Sequence, residues 1–368
     1  MWFNRQKQAS THKLSQDSCQ SLLASLCSNG IKLSMQELLQ YQSKSRLIDL
    51  AGKKNIQGKQ AGNYLSRSKG RGMEFDEVRH YQTGDDVRAI DWRVTARTGK
   101  THTKLFREEI ERPVLVATDL SQNMHFGSKL LFKSVQGAHL AALVAWHAKN
   151  RGDRLGGLVF RDQEHIELKP RSRKAGVLHY LHALTTLNNA IDNDSTANTK
   201  AAHINESIDI KTDHDEQALS ESHKQQSHNN SFNFEQHCAR LRHIAKPGSL
   251  VYLITDGRAL LDERSNHHAL RHLTQISQHC ELVVCLISDP LEHALPTSHM
   301  KLTVTLTDGN KRQQLALGDN KTAQDYQQQA IVQGQKLQQM IQKTGARVTH
   351  FSAGSTLEQQ LKYSGASL

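Results

Sequence analysis

From Pro113 onward, short apolar runs alternate with stretches of helical periodicity, and no other feature of the chain restricts its fold as strongly. Val114 to Thr118 is a continuous apolar run, the pattern of a strand covered on both faces. Behind it Leu131, Val135, Ala138, Ala142 and Trp146 step by three or four residues and fall along one side of a helix. Arg154 to Phe160 and His165 to Leu168 read as strands, and Val177 to Leu187 as a helix. Leu250 to Thr255 and Leu282 to Ser288 are two further apolar strands with a helix near His268 to Ser277 between them, and a late helix precedes the strand Arg347 to Phe351. Strands separated by helices are joined by crossovers. The predicted fold class is therefore α/β: a doubly wound, mainly parallel sheet with helices on both faces, over 113–368.

Two stretches depart from this pattern. Residues 188–230 hold Asn, Asp, Ser, Thr, His, Gln and Lys with almost no large apolar side chains, so burial cannot offset the entropy of ordering them, and a disordered insertion is expected. Leu302, Val304 and Leu306 alternate ahead of Asp308-Gly309, with Leu315 and Leu317 after it, which signals a hairpin. Residues 1–112 form a separate N-terminal accessory region with helical and β parts. In it, residues 15–50 read as helical, with Ser34 and Glu37 spaced as a capping box ahead of Leu38 and Leu39. Gly, Ser and basic residues then dominate from Lys53 to Gly72 and suit a mobile connection.

Composition excludes several classes. No window approaches the roughly 18 apolar residues of a bilayer span, and the polar N-terminus lacks the apolar core of a secretory signal. The expected location is the cytoplasm, free or peripheral to the inner face of the membrane. The chain has 5 cysteines without metal-site spacing, read as reduced structural thiols, and its histidines form no zinc framework. The formal charge of +11 is concentrated in residues 44–71, where a basic patch could attract nucleic acid, anionic lipid or an acidic protein, or could be a solvated linker. Thr98-Gly99-Lys100-Thr101 ends like a phosphate-binding loop, but Val94 stands at its first glycine position and the residues after it look extended. No nucleotide cofactor is expected.

The densest motif runs from Glu74 to Arg97. Its Glu74-Phe75 step, Arg79, Tyr81, Gly84-Asp85-Asp86, Arg88 and Ile90-Asp91-Trp92 resemble the signature of the domain of unknown function 58 family, and the order of elements downstream agrees with that family. Alternating Asp and Arg around one Trp can form bidentate pairs beside an apolar anchor, with Arg79, Arg88 and Arg97 finding partners among Asp85, Asp86 and Asp91. Such a network serves either as a clamp within the fold or as a docking surface.

Asp119-Leu120-Ser121-Gln122-Asn123, where the first strand of the α/β domain ends, looks like the metal-ion-dependent adhesion site of von Willebrand factor A domains, with Asn123 in place of its last serine. Thr255-Asp256-Gly257 resembles the second aspartate loop of that site, whereas Thr307-Asp308-Gly309 is explained by its hairpin. The resemblance implies that Asp119, Ser121, Asn123 and Asp256 offer oxygen ligands for weak Mg²⁺ binding. The intermediate threonine of such sites has only Ser172 as a positional candidate, amid basic neighbours. The alternative is that both aspartates cap the turns that follow them.

The functional expectation is a non-enzymatic adaptor. Proteins resembling this family accompany MoxR-type AAA+ ATPases, which implies such an ATPase and a client protein complex as partners. Nucleic-acid binding through residues 44–71 is the alternative, weakened by a single aromatic there, Tyr64. A metal-dependent hydrolase would need a base that no motif supplies.

Overall fold

The computed structural model describes residues 19–45, 73–108, 112–190, 233–261, 266–296, 302–307, 312–317 and 320–364. The basic stretch beyond Ser45 and the polar segment after Ala190 lie outside them. The helical elements are α1 (19–26), α2 (Met35–Leu39), α3 (Tyr41–Lys44), α4 (Trp92–Thr98), α5 (Lys133–Asn150), α6 (Arg173–Asn189), α7 (233–244), α8 (Asn266–His279), α9 (Pro290–His293), α10 (Asn320–Lys343) and α11 (Leu357–Ser364). The strands are β1 (Met73–His80), β2 (His102–Glu108), β3 (Pro113–Asp119), β4 (Arg154–Arg161), β5 (Glu164–Arg171), β6 (Leu250–Thr255), β7 (Glu281–Ser288), β8 (Leu302–Thr307), β9 (Arg312–Leu317) and β10 (Arg347–Ser352).

A six-stranded sheet of order β10-β7-β6-β3-β4-β5 forms the centre of the larger unit. Every pairing in it is parallel except β4 with β5, the short return at one edge. The mainly parallel α/β fold expected from the alternation is thus the fold observed. Both faces of β3 are covered: Val114 and Val116 pack with α5 and α6, and Leu115 and Ala117 pack with α7, α8 and α10. Gly157 in β4 lets the strands meet, since a Cβ there would lie 2.1 Å from the Val116 carbonyl oxygen. β8 and β9 pair as the predicted antiparallel hairpin, with its tip outside the described residues.

Helix α5 differs from its expected one-sided stripe. Leu140, Leu143 and Val144 are as buried as Val135 and Ala142, because residues 19–45 cover its outer face. The capping box forms as read: the Ser34 hydroxyl accepts from the Glu37 N–H, and the Glu37 carboxylate accepts from the Ser34 N–H. Leu38 enters the core around α5, and the Trp146 indole donates to the Leu38 carbonyl at 3.3 Å. Glu37 accepts from His139 Nε2 at 3.2 Å, and His139 Nδ1 meets the Tyr41 hydroxyl at 3.1 Å, all three side chains being buried.

These contacts move a domain boundary. Sequence grouping places residues 19–45 with the motif region, but they belong to the same compact unit as the sheet; the chain divides into Lys53–Glu111 on one hand and Met1–Gly52 with Arg112–Leu368 on the other. The helical reading of 15–50 is also broken between α1 and α2. The expected insertion begins later than residue 188, because Asn188 and Asn189 close α6 and Asn189 donates to the Leu33 carbonyl at 3.0 Å.

Leu38 is completely buried, so Leu38→Ala is expected to lower the unfolding free energy by about 2–5 kcal/mol. Denaturant melts should show the whole loss in the transition of the α/β unit; an unchanged midpoint would mean that residues 19–45 fold apart from it.

Candidate functional site

The motif unit is built on an antiparallel pair, β1 with β2, whose connecting segment carries Gly84 to Arg97. Arg79 donates to Asp85 Oδ1 at 2.7 Å, and Asp85 Oδ2 accepts from the Gln82 N–H at 2.9 Å. The Gln82 amide and the Arg79 guanidinium hold the Asp85 carboxyl below the usual carboxylate range. Asp86 caps the short turn Val87–Ala89 by accepting from the Arg88 N–H at 3.0 Å. Asp91 caps α4, accepting from the N–H groups of Arg93 and Val94, and lies 3.5 Å from Lys104 Nζ.

Of the expected arginine–aspartate network only the Arg79–Asp85 pair forms. Arg88 and Arg97 make no ion pair with Asp86 or Asp91, because those carboxylates are turned inward onto backbone amides that would otherwise lack acceptors. Thr98 ends α4, Gly99 closes it in the left-handed region at φ 71°, and the chain continues into β2. No helix opens after Lys100, which is the condition a phosphate loop would require.

The second constellation lies where β3 and β6 end side by side. The chain runs outward from β3 on one side of the sheet and returns to β6 on the other, so the crevice between them is a topological switch point. Asp119, Ser121, Asn123 and Asp256 line one cleft there, so the two loops separated in sequence do meet. Asp119 Oδ1 accepts from the Ser121 N–H at 2.9 Å and Oδ2 from the Thr255 hydroxyl at 2.7 Å. Thr255, read from the sequence as the start of the second aspartate loop, is thus bonded to the first, whereas Ser172, the positional candidate for an intermediate threonine, stands at the N-cap of α6. Burial, reinforced by the charge of Asp256, pushes the Asp119 carboxyl up to about 6.

Asp256 is held differently. Its Oδ1 accepts from the Arg258 N–H at 3.0 Å, and its Oδ2 accepts from Lys133 Nζ at 2.8 Å. Lys133 is wholly buried and also donates to Glu292 Oε1 at 2.8 Å, where Arg258 adds a bond of 2.7 Å. Asp289, following β7, accepts from the N–H groups of Ser128 and Leu291 at 2.8 Å each. The two aspartates thus meet in a crevice, and each also caps a local turn, as the capping alternative expected. Among the described residues, no group of three or more His, Cys, Asp and Glu is placed to hold a metal. Of the four oxygen donors proposed for Mg²⁺, Asp119 has no ion-pair partner among the described residues, whereas Asp256 already has an ammonium.

The cleft's opposite wall is aromatic. Phe160 stacks on His237 with centroids 4.5 Å apart, and His237 Nε2 meets the Asp162 carbonyl oxygen at 2.8 Å. Burial pushes the His237 imidazole down to about 4, so it is neutral. Lys133, His237 and Asp162 escaped sequence reasoning because none sits in a motif, and Glu292 did so although it has capping-box spacing from Asp289; only folding brings them to the strand ends.

The family model described as "Protein of unknown function DUF58" matches residues 77–336, more than half of the chain. Uncharacterized proteins of Mycobacterium bovis and Mycobacterium tuberculosis are 34% identical to it over 114 residues, which is 31% of this chain and 36% of theirs. The chain therefore matches only about a third of the length of these relatives. No helix among the described residues is long and apolar enough to cross a membrane.

An acid whose pKa is raised on folding binds its proton more tightly in the native state, so its contribution to stability is present at low pH and is lost as pH rises through the folded value. For Asp119 the window runs from the ordinary 3.8 to about 6. Asn at this position can accept from Ser121 and donate to the Thr255 oxygen. Asp119→Asn is expected to melt at higher temperature than wild type above pH 6, and the gap should close toward pH 4. A gap independent of pH would show that Asp119 does not titrate in this window.

Proposed function

The chain belongs to the DUF58 family of proteins of unknown function, and from that premise we propose that it is a non-enzymatic interaction protein. It docks a MoxR-type AAA+ ATPase and serves with it, in the cytoplasm, in the assembly or maturation of other protein complexes. Its α/β unit is read as von Willebrand factor A-like.

The observation that carries this reading is the exposure of apolar side chains on the motif unit. Trp92 is 70% exposed and Val87 is 61% exposed, although a tryptophan ordinarily contributes its large area to a core. Both stand on backbone fixed by capping aspartates, so little ordering entropy remains to be lost when a partner covers them. Arg88, Arg93 and Arg97 are exposed around them. An aromatic anchor with arginines at its rim has the composition of a binding hot spot, and it favours a partner face that offers an apolar pocket bordered by carboxylates. The internal pairing of Asp85, Asp86 and Asp91 supports the reading from the other side: the acids are used to shape the loop, which leaves the arginine charges for a partner.

The test is binding of a purified MoxR-type ATPase from the same organism, with and without nucleotide. Trp92→Ala is expected to weaken association at least tenfold while leaving the melting temperature unchanged, because the indole packs on little within its own unit. Unaltered affinity in this variant would remove the proposed surface. Failure of the wild-type protein to bind in any nucleotide state would defeat the adaptor reading.

A further inference from the structure

Lys133 is the first residue of an 18-residue helix, the end at which the helix dipole disfavours a cation. Its side chain has no solvent exposure. A buried ammonium at the wrong end of a helix persists only where carboxylates compensate for its lost hydration. Here two do so, Asp256 and Glu292, each at 2.8 Å.

The charges of Asp256 and Glu292 are already balanced. Arg258 joins Glu292 at 2.7 Å and lies 3.8 Å from Asp256, so two cations face two carboxylates. Glu292 Oε2 is occupied by the Asp289 N–H at 3.0 Å, and Asp289 itself is saturated by Ser128 and Leu291. A divalent ion bridging Asp119 and Asp256 would bind a carboxylate whose Oδ2 already holds an ammonium and would be repelled by that ammonium at close range. Of the donor set that the sequence resemblance suggests, Asp256 is therefore already neutralised, while Asp119 is held by a hydroxyl and an amide.

We infer that Lys133 is a built-in counter-ion of Asp256 and Glu292, a tethered ammonium that neutralises the one acid of the second aspartate loop that the resemblance would give to a divalent cation, so that this carboxylate is held without metal. The inference concerns the α/β unit alone and is independent of the docking reading, which rests on the motif unit. It makes the lysine a structural substitute for an ion: it joins the end of β6 to the start of α5 and to α9 permanently, where a metal would join them only when bound.

Calorimetric titration with MgCl₂ and with MnCl₂ tests this directly. The full-length wild type is expected to show no saturable binding at millimolar metal. Lys133→Ala, which removes the ammonium from Asp256 and Glu292, is expected to melt lower than wild type, to bind metal at least tenfold more tightly than wild type, and to be restabilised by it. Saturable millimolar binding by the wild type that disappears in Asp119→Asn would overturn the inference. So would a folded Lys133→Ala protein whose stability or metal affinity matches that of wild type. Should Lys133→Ala not fold, the double variant Lys133→Ala/Asp256→Asn decides: recovery of a folded protein identifies the stranded carboxylate as the cause and supports the counter-ion role, and no recovery refutes it.

Discussion

Helix α5 has almost no face in water, and much of the structure follows from that constraint. Fifteen of its residues, from Lys133 to Ala148, are buried, so most of the polar side chains it carries turn to partners in protein rather than solvent. Lys133 turns to Asp256 and Glu292, the Gln136 amide donates to the Ser352 carbonyl at 3.0 Å, His139 takes Glu37 and Tyr41, and Trp146 takes Leu38. These bonds tie α5 to α2, α3, α9, β10 and the loop after β6. The helix therefore sets the position of the N-terminal segment, the strand ends and the C-terminal loop at once.

The same constraint explains why the strand-end crevice has its present chemistry. An ammonium anchored in α5 draws Asp256 toward the helix, while Asp119, one strand away, receives only a hydroxyl and an amide. Two aspartates in similar loops are thus made unlike each other by the ammonium that α5 gives to only one of them. One carboxylate is paired with a full charge; the other is desolvated and pushed up to about 6. In the motif unit the division of labour is reversed. There the aspartates are consumed by backbone caps and a single arginine, and the exposed surface is left to Trp92, Val87 and the remaining arginines.

The extent to which sequence anticipated this structure depended on the distance over which each signal acts. Apolar runs and helical steps are local, and they located the sheet strands β3, β4, β6, β7 and β10 and the helices α5, α6, α8 and α10, but not α7 or α9. The capping box at Ser34 and Glu37 was legible because both of its bonds close within four residues. The arginine–aspartate network was not, because the same Asp that can pair with a guanidinium can also cap a helix, and only the local backbone selects between them. Residues 19–45 were grouped with the motif region because they precede it; what decides their unit is the uncovered side of α5, far along the chain.

What the sequence by itself determined was the α/β alternation, the parallel sheet that it enforces, and the placing of Asp119 and Asp256 at strand carboxyl ends, all consequences of periodicity and of crossover connections. Tertiary structure alone decided which charges meet there. Lys133 is separated from Asp256 by 123 positions and from Glu292 by 159, and no spacing rule acts over such distances. Their pairing follows from the packing of α5 against the sheet, which buries the ammonium and leaves those carboxylates as its compensation.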